Sequence, residues 1–136
     1  MSKAYYSVGS RILSSSSSIT REIEYDVNDV RELSYTIPPA TTDQLVSLNL
    51  PYANLKTIAM EAQWDISVAT PSNVTVKTNS SGAPTQTFTV KPNKPDGWHA
   101  DSWQTNPITA NITALYLTNP HATASCTLKI LVGNNL

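Results

Sequence analysis

The chain has 136 residues, one cysteine, and nine basic against ten acidic side chains, for a formal net charge of −1. That length suits one domain with its own core, burying roughly two-thirds of the surface that the unfolded chain exposes. An intrachain disulfide is excluded, and Lys and Arg are scattered singly, so no basic stripe points to nucleic acid or to an anionic membrane.

Residues 1–9 hold one lysine and no apolar run of signal-peptide length, and no segment is long enough to cross a bilayer. Synthesis in the cytosol is therefore expected. Two short apolar patches, Tyr5-Tyr6-Ser7-Val8 and Ile12-Leu13, precede the serine run 14–18. Serine gains too little on burial to offset the entropy of ordering, so residues 1–20 are expected to form an N-terminal arm or linker. Such an arm either has no role or orders on a neighbouring subunit. Residues 21–136 are expected to form the body.

Ile23, Tyr25 and Val27 alternate with Glu22, Glu24 and Asp26, and the pattern resumes after Asn28-Asp29 with Leu33, Tyr35 and Ile37. A hairpin or one interrupted edge strand fits, ending at Pro38-Pro39, which cannot donate to a ladder. Val46, Leu48 and Leu50 mark a strand over 44–50. The strongest signal covers 56–68, where Ile58, Met60, Ala62, Trp64, Ile66 and Val68 alternate with Glu61, Gln63, Asp65 and Ser67. It predicts a long strand with one dry and one wet face. After a turn at Pro71-Ser72-Asn73, residues 74–78 and 87–90 flank a polar loop, as in a hairpin. The polar stretch 91–107 contains two of the three tryptophans.

Residues 108–118 and 123–132 read as a final pair around Asn119-Pro120-His121. In the second of these, Cys126, Leu128, Ile130 and Val132 share a face, which points the thiol inward as a small buried hydrophobe. Residues 111–118 carry apolar side chains on both faces. A central strand covered on both sides fits, as does a strand whose outer face meets another subunit. The second reading is favoured because a sandwich layer has one dry face, and it makes Leu115 and Leu117 candidate interface residues. Seven or eight strands at intervals of about 8 to 12 residues predict an all-β fold, a β-sandwich or jelly roll of antiparallel strands with an N-terminal arm. A barrel is the alternative.

Polarity is carried by Thr, Ser and Asn more than by charge, and reactive groups are sparse. His99 and His121 are the two imidazoles and fall in different loops. The most suggestive cluster is 94–103, where His99 lies between Asp96 and Asp101 and between Trp98 and Trp103. A zinc site would need further ligands in a defined spacing, and a Ser102–His99 nucleophile pair lacks an elbow motif and a third member. Glu61 and Asp65 would stand about 13 Å apart along a strand, too far for a carboxylate pair. The four glycines form no phosphate loop. No catalytic, cofactor or metal site is expected, and the chain reads as a non-enzyme. Trp98, His99 and Trp103 are instead candidate interface or ligand contacts, since indole faces stack on sugars and on partner side chains. Asp96, Asp101, Gln104 and Asn106 could serve a bound sugar. The structural alternative is that both indoles bury at one end of the sandwich. Three Asn-X-Ser/Thr triplets, beginning at Asn73, Asn79 and Asn111, read as accidents of an Asn- and Thr-rich chain.

The ending, 108–120 followed by 124–132, joined to a cysteine-poor, Thr/Asn/Ser-rich body with an N-terminal arm, resembles small virion proteins of tailed bacteriophages, particularly capsid decoration (cement) and head or tail accessory proteins. The resemblance implies a sandwich or jelly-roll subunit, often trimeric, that binds the major capsid protein or another virion protein and reinforces the shell. It implies a location in the virion after synthesis in the host cytoplasm. The alternative from a different class is a carbohydrate-binding module of a fibre or adhesin, using the loop between Trp98 and Trp103.

Overall fold

The computed structural model describes residues 2–11 and 18–136, with side chains described at residues 3–5 and from Glu22 onward. Ile12, Leu13 and the serine run as far as Ser17 lie outside the described residues. Among the described residues there are ten strands: β1 (Ser2–Arg11), β2 (Ser18–Val27), β3 (Asp29–Ile37), β4 (Thr41–Leu50), β5 (Leu55–Gln63), β6 (Val74–Thr78), β7 (Thr87–Val90), β8 (Asp96–His99), β9 (Ile112–Asn119) and β10 (Cys126–Asn134).

The pairings between these strands are antiparallel, and two four-stranded sheets run in the orders β3-β10-β5-β8 and β4-β9-β6-β7. Counted from β3, the first strand pairs with the eighth, the second with the seventh, the third with the sixth and the fourth with the fifth. That is a long hairpin wound upon itself, the jelly roll, and it closes the expected all-β sandwich. Ile58, Met60, Leu128 and Ile130 from one sheet share a single core with Val76, Leu115 and Leu117 from the other.

Three expectations need correction. The last two strands do not form a hairpin: β9 belongs to one sheet and β10 to the other. The buried Asn119 makes the crossing possible, because its Nδ2 donates to the carbonyls of Ile37 (3.1 Å) and Ala124 (2.9 Å) while its Oδ1 accepts from the amide of His121 (3.0 Å). The long strand ends at Gln63 and not at Val68. Asn93 takes the Trp64 amide on its Oδ1 (2.8 Å), and the Asp65 carboxylate accepts from the Ser67 amide (2.9 Å). These side chains offer the backbone a turn in place of a ladder. Trp64 stays buried, but Ile66 is fully exposed.

The third correction concerns Leu115 and Leu117, which are 1 % and 0 % exposed and line the core, so neither is a surface contact. β9 is a central strand between β4 and β6. The β4–β9 register shifts between Ser47 and Leu50, and Ile112 joins Leu115 and Leu117 in the core. Ile112 lies three positions before Leu115, so the inward set changes parity within β9, and with Ala114 and Tyr116 half-buried on the other side both faces read as apolar.

The expected arm is part of a separate two-stranded ribbon. β1 and β2 pair from Ser2↔Val27 to Arg11↔Ser18, about 33 Å at the usual rise per residue, and the ribbon continues to Val27. β2 and β3 are separated by Asn28 alone and do not pair with each other, so the interruption, and not a hairpin, describes residues 18–37. At the ribbon's base Val27 is buried, and Gly133 leaves room for it: a Cβ there would sit 2.9 Å from that of Ala4. Asn28 fastens the joint, its amide donating to the Asn134 carbonyl (3.0 Å) and its side chain bracketing the backbone of Leu136 (2.7 and 2.8 Å). Lys3 bridges Glu24 (2.9 Å) and Asp26 across the ribbon, which draws the Asp26 carboxyl below its ordinary range.

Candidate functional site

β8 is a four-residue edge strand whose partners on β5 run from Met60, opposite Asp96, to Thr57, opposite His99. Gly97 sets how closely it lies. A Cβ at this position would fall 2.2 Å from the Ile58 carbonyl oxygen and 2.9 Å from the Ala59 Cα, so only glycine lets the two backbones approach. The approach presses the half-buried Trp98 against the core, and its indole N–H donates to the Gln104 carbonyl at 3.0 Å.

β7 forms the corresponding edge of the other sheet. Between the two edges opens a cleft of about 300 Å³. Its floor is core, with Ile58, Met60 and Ile108, and Trp98 and Phe88 line it as aromatic walls. Asp96, Gln104 and Thr105 are polar residues of the lining, and Thr87 and Thr89 border it from the exposed positions of β7 that alternate with the inward Phe88 and Val90. The turn into Ile108 is fixed by Asn106, whose Oδ1 accepts the Ile108 amide at 2.9 Å.

Sequence reasoning put Trp98, His99 and Trp103 in one loop, and the structure separates them. Trp98 lines the cleft. Trp103 is 98 % exposed and lines no part of it. His99 meets the ribbon, with its Nδ1 3.1 Å from the Tyr25 hydroxyl. That hydroxyl donates its one proton to Asp101 Oδ2 (3.0 Å) and accepts the Asp101 amide (3.3 Å), so the His99 Nδ1–H is the donor towards it. Burial pushes the Tyr25 phenol above its ordinary value; the Asp101 amide pulls it down and the Asp101 carboxylate adds to the rise. Nothing in the local pattern around Tyr25 signals this contact, which spans 76 residues. Phe88 and Ile108 were equally silent as cleft residues, because each reads simply as a core position.

The remaining polar candidates have structural partners. Ser102 Oγ accepts the Gln104 amide (3.2 Å), closing a turn. His121 accepts the amides of Thr123 (3.2 Å) and Ala124 (2.9 Å) on Nδ1, which makes it the Nε2–H tautomer, and its ring lies 5.4 Å from that of Trp64. Asn79, in the left-handed region at φ 67°, brackets the Thr113 amide (2.9 Å) and the Asn111 carbonyl (3.0 Å). Cys126 is buried, which pushes its thiol up to about 11. Among the described residues no three His, Cys, Asp or Glu side chains are grouped to hold a metal ion.

Compared with known proteins, the chain matches no family model, no curated protein sequence and no solved structure.

Proposed function

We propose that this chain is a non-enzymatic structural subunit of a virion, a decoration protein that binds and reinforces a phage shell, with the β1–β2 ribbon as its attachment element. The ribbon carries this reading. Its two ten-residue strands form ladder bonds to each other and to no third strand among the described residues. A two-stranded ribbon is marginal in water without cover, and its outer edges offer unpaired backbone groups. A neighbouring copy, or a shell protein, supplies that cover by adding a strand along an edge or by packing on a face.

The rest of the chain is compatible with such work. Jelly rolls occur in capsid and in lectin domains, so the fold narrows the choice without deciding it. With a net charge of −1, copies crowded on a shell repel one another little. A homo-oligomer, with a trimer favoured, multiplies modest contacts into firm attachment. The test is co-sedimentation of the purified chain with empty shells of the phage whose genome carries it. Saturable binding is expected, and the double variant Ile23→Pro/Glu24→Pro, in which one of two consecutive prolines must remove a ladder donor, abolishes it. A chain that stays in the supernatant at every shell concentration is not a decoration protein.

A further inference from the structure

We propose that the cleft between the β7 and β8 edges binds a neutral saccharide, with one pyranose ring lying on the Trp98 indole. The lining sorts into two chemistries. Ile58, Met60 and Ile108 belong to the core and make the floor apolar, so a ligand that reaches them must offer an apolar face. Around that floor stand Asp96, Gln104 and Thr105, residues that between them both accept from and donate to hydroxyl groups. A pyranose has the matching division, with a C–H face that stacks on indole and a girdle of hydroxyls.

Charge narrows the ligand further. Asp96 is the one ionisable side chain on the lining, and neither Lys nor Arg contributes to it. A phosphate, a nucleotide or an acidic peptide would meet the carboxylate with no cation to offset the repulsion. A cleft of about 300 Å³ lies at the small end of ligand sites, with room for one or two sugar rings. It is also pre-organised. The Trp98 N–H is already held by the Gln104 carbonyl (3.0 Å), and Asp96 Oδ1 accepts the Gly97 amide (2.8 Å), so binding has little left to order.

The test uses the intact chain, with tryptophan emission and saturation-transfer NMR read against neutral oligosaccharides of glucose, mannose, galactose and N-acetylglucosamine. Saturable binding of at least one of them is expected. Gln104→Ala removes an exposed side chain while leaving the carbonyl that holds Trp98, so the fold is retained and affinity falls by about tenfold, the equivalent of one good hydrogen-bonding group. Trp98→Ala abolishes binding, and Trp103→Ala leaves it unchanged. Three results would overturn the proposal: no oligosaccharide of the four types saturates, binding depends on Trp103 and not on Gln104, or an extended peptide and no sugar occupies the cleft.

Discussion

Asn119 joins the two sheets through one buried amide that satisfies the Ile37 and Ala124 carbonyls and the His121 amide together. Truncation strands three backbone groups, at a cost of about 1 to 3 kcal/mol for each that stays dry. Asn119→Ala is therefore expected to lower the unfolding free energy by about 3 kcal/mol in urea titrations; a loss within about 0.5 kcal/mol, typical of surface substitutions, would contradict the role assigned to the amide. Tyr25 gives a pH signature. Its phenol has a folded-state value raised above the ordinary 10.0, so between the two values the folded chain keeps a proton that the unfolded chain has lost. This contribution is complete below the ordinary value and declines as pH rises through the folded one. Denaturation at a series of pH values on either side of 10.0 should show the stability of the native chain falling more steeply than that of Tyr25→Phe. Parallel curves would mean that the phenol does not tie the ribbon to β8.

β8 is an element whose place depends on one missing side chain. Gly97→Ala would put a Cβ against the Ile58 carbonyl, and overpacking of this kind costs typically 1 to 3 kcal/mol. The variant is expected to unfold at lower urea and to exchange its amides faster in 96–99 while β10 stays protected; unchanged exchange would show that the strand tolerates the added carbon. The ribbon and β8 also show how far the chain could be read from its sequence. Period-two alternation reports which side chains share a face, so the inward Cys126, the 74–78 and 87–90 hairpin and the all-β character were legible. Alternation does not say which strand lies opposite, and so β9 and β10, neighbours in sequence, read as a pair although they belong to different sheets. Nor does it register the change of parity between Ile112 and Leu115, and so Leu115 and Leu117 read as a contact surface. Ile66 continued the pattern of β5 beyond its end because Asp65 and Asn93 act on the backbone and leave the alternation of hydrophobic residues untouched. The cleft was half legible. Trp98, Asp96 and Gln104 stood together in sequence, whereas Phe88 and Ile108 come from the other side of a sandwich whose closure no local pattern states.

At the scale of the whole molecule, the eight strands from β3 to β10 form a jelly roll of two sheets, and β1 with β2 forms an appendage tied to it by Tyr25, Val27 and Asn28. The two parts divide the proposed work, the ribbon attaching the chain to neighbours and the jelly roll presenting the cleft. Tyr25 and Trp98 both act through β8, so ribbon and cleft share a four-residue strand. The most direct measurement is the solution mass of the purified intact chain by light scattering, beside that of the double variant Ile23→Pro/Glu24→Pro. An oligomer for the intact chain, with three copies favoured, and a folded 14.8 kDa monomer for the variant are the results that the account predicts. A monodisperse monomer for the intact chain, or an oligomer that survives the broken ladder unchanged, would contradict the claim that the ribbon holds copies together.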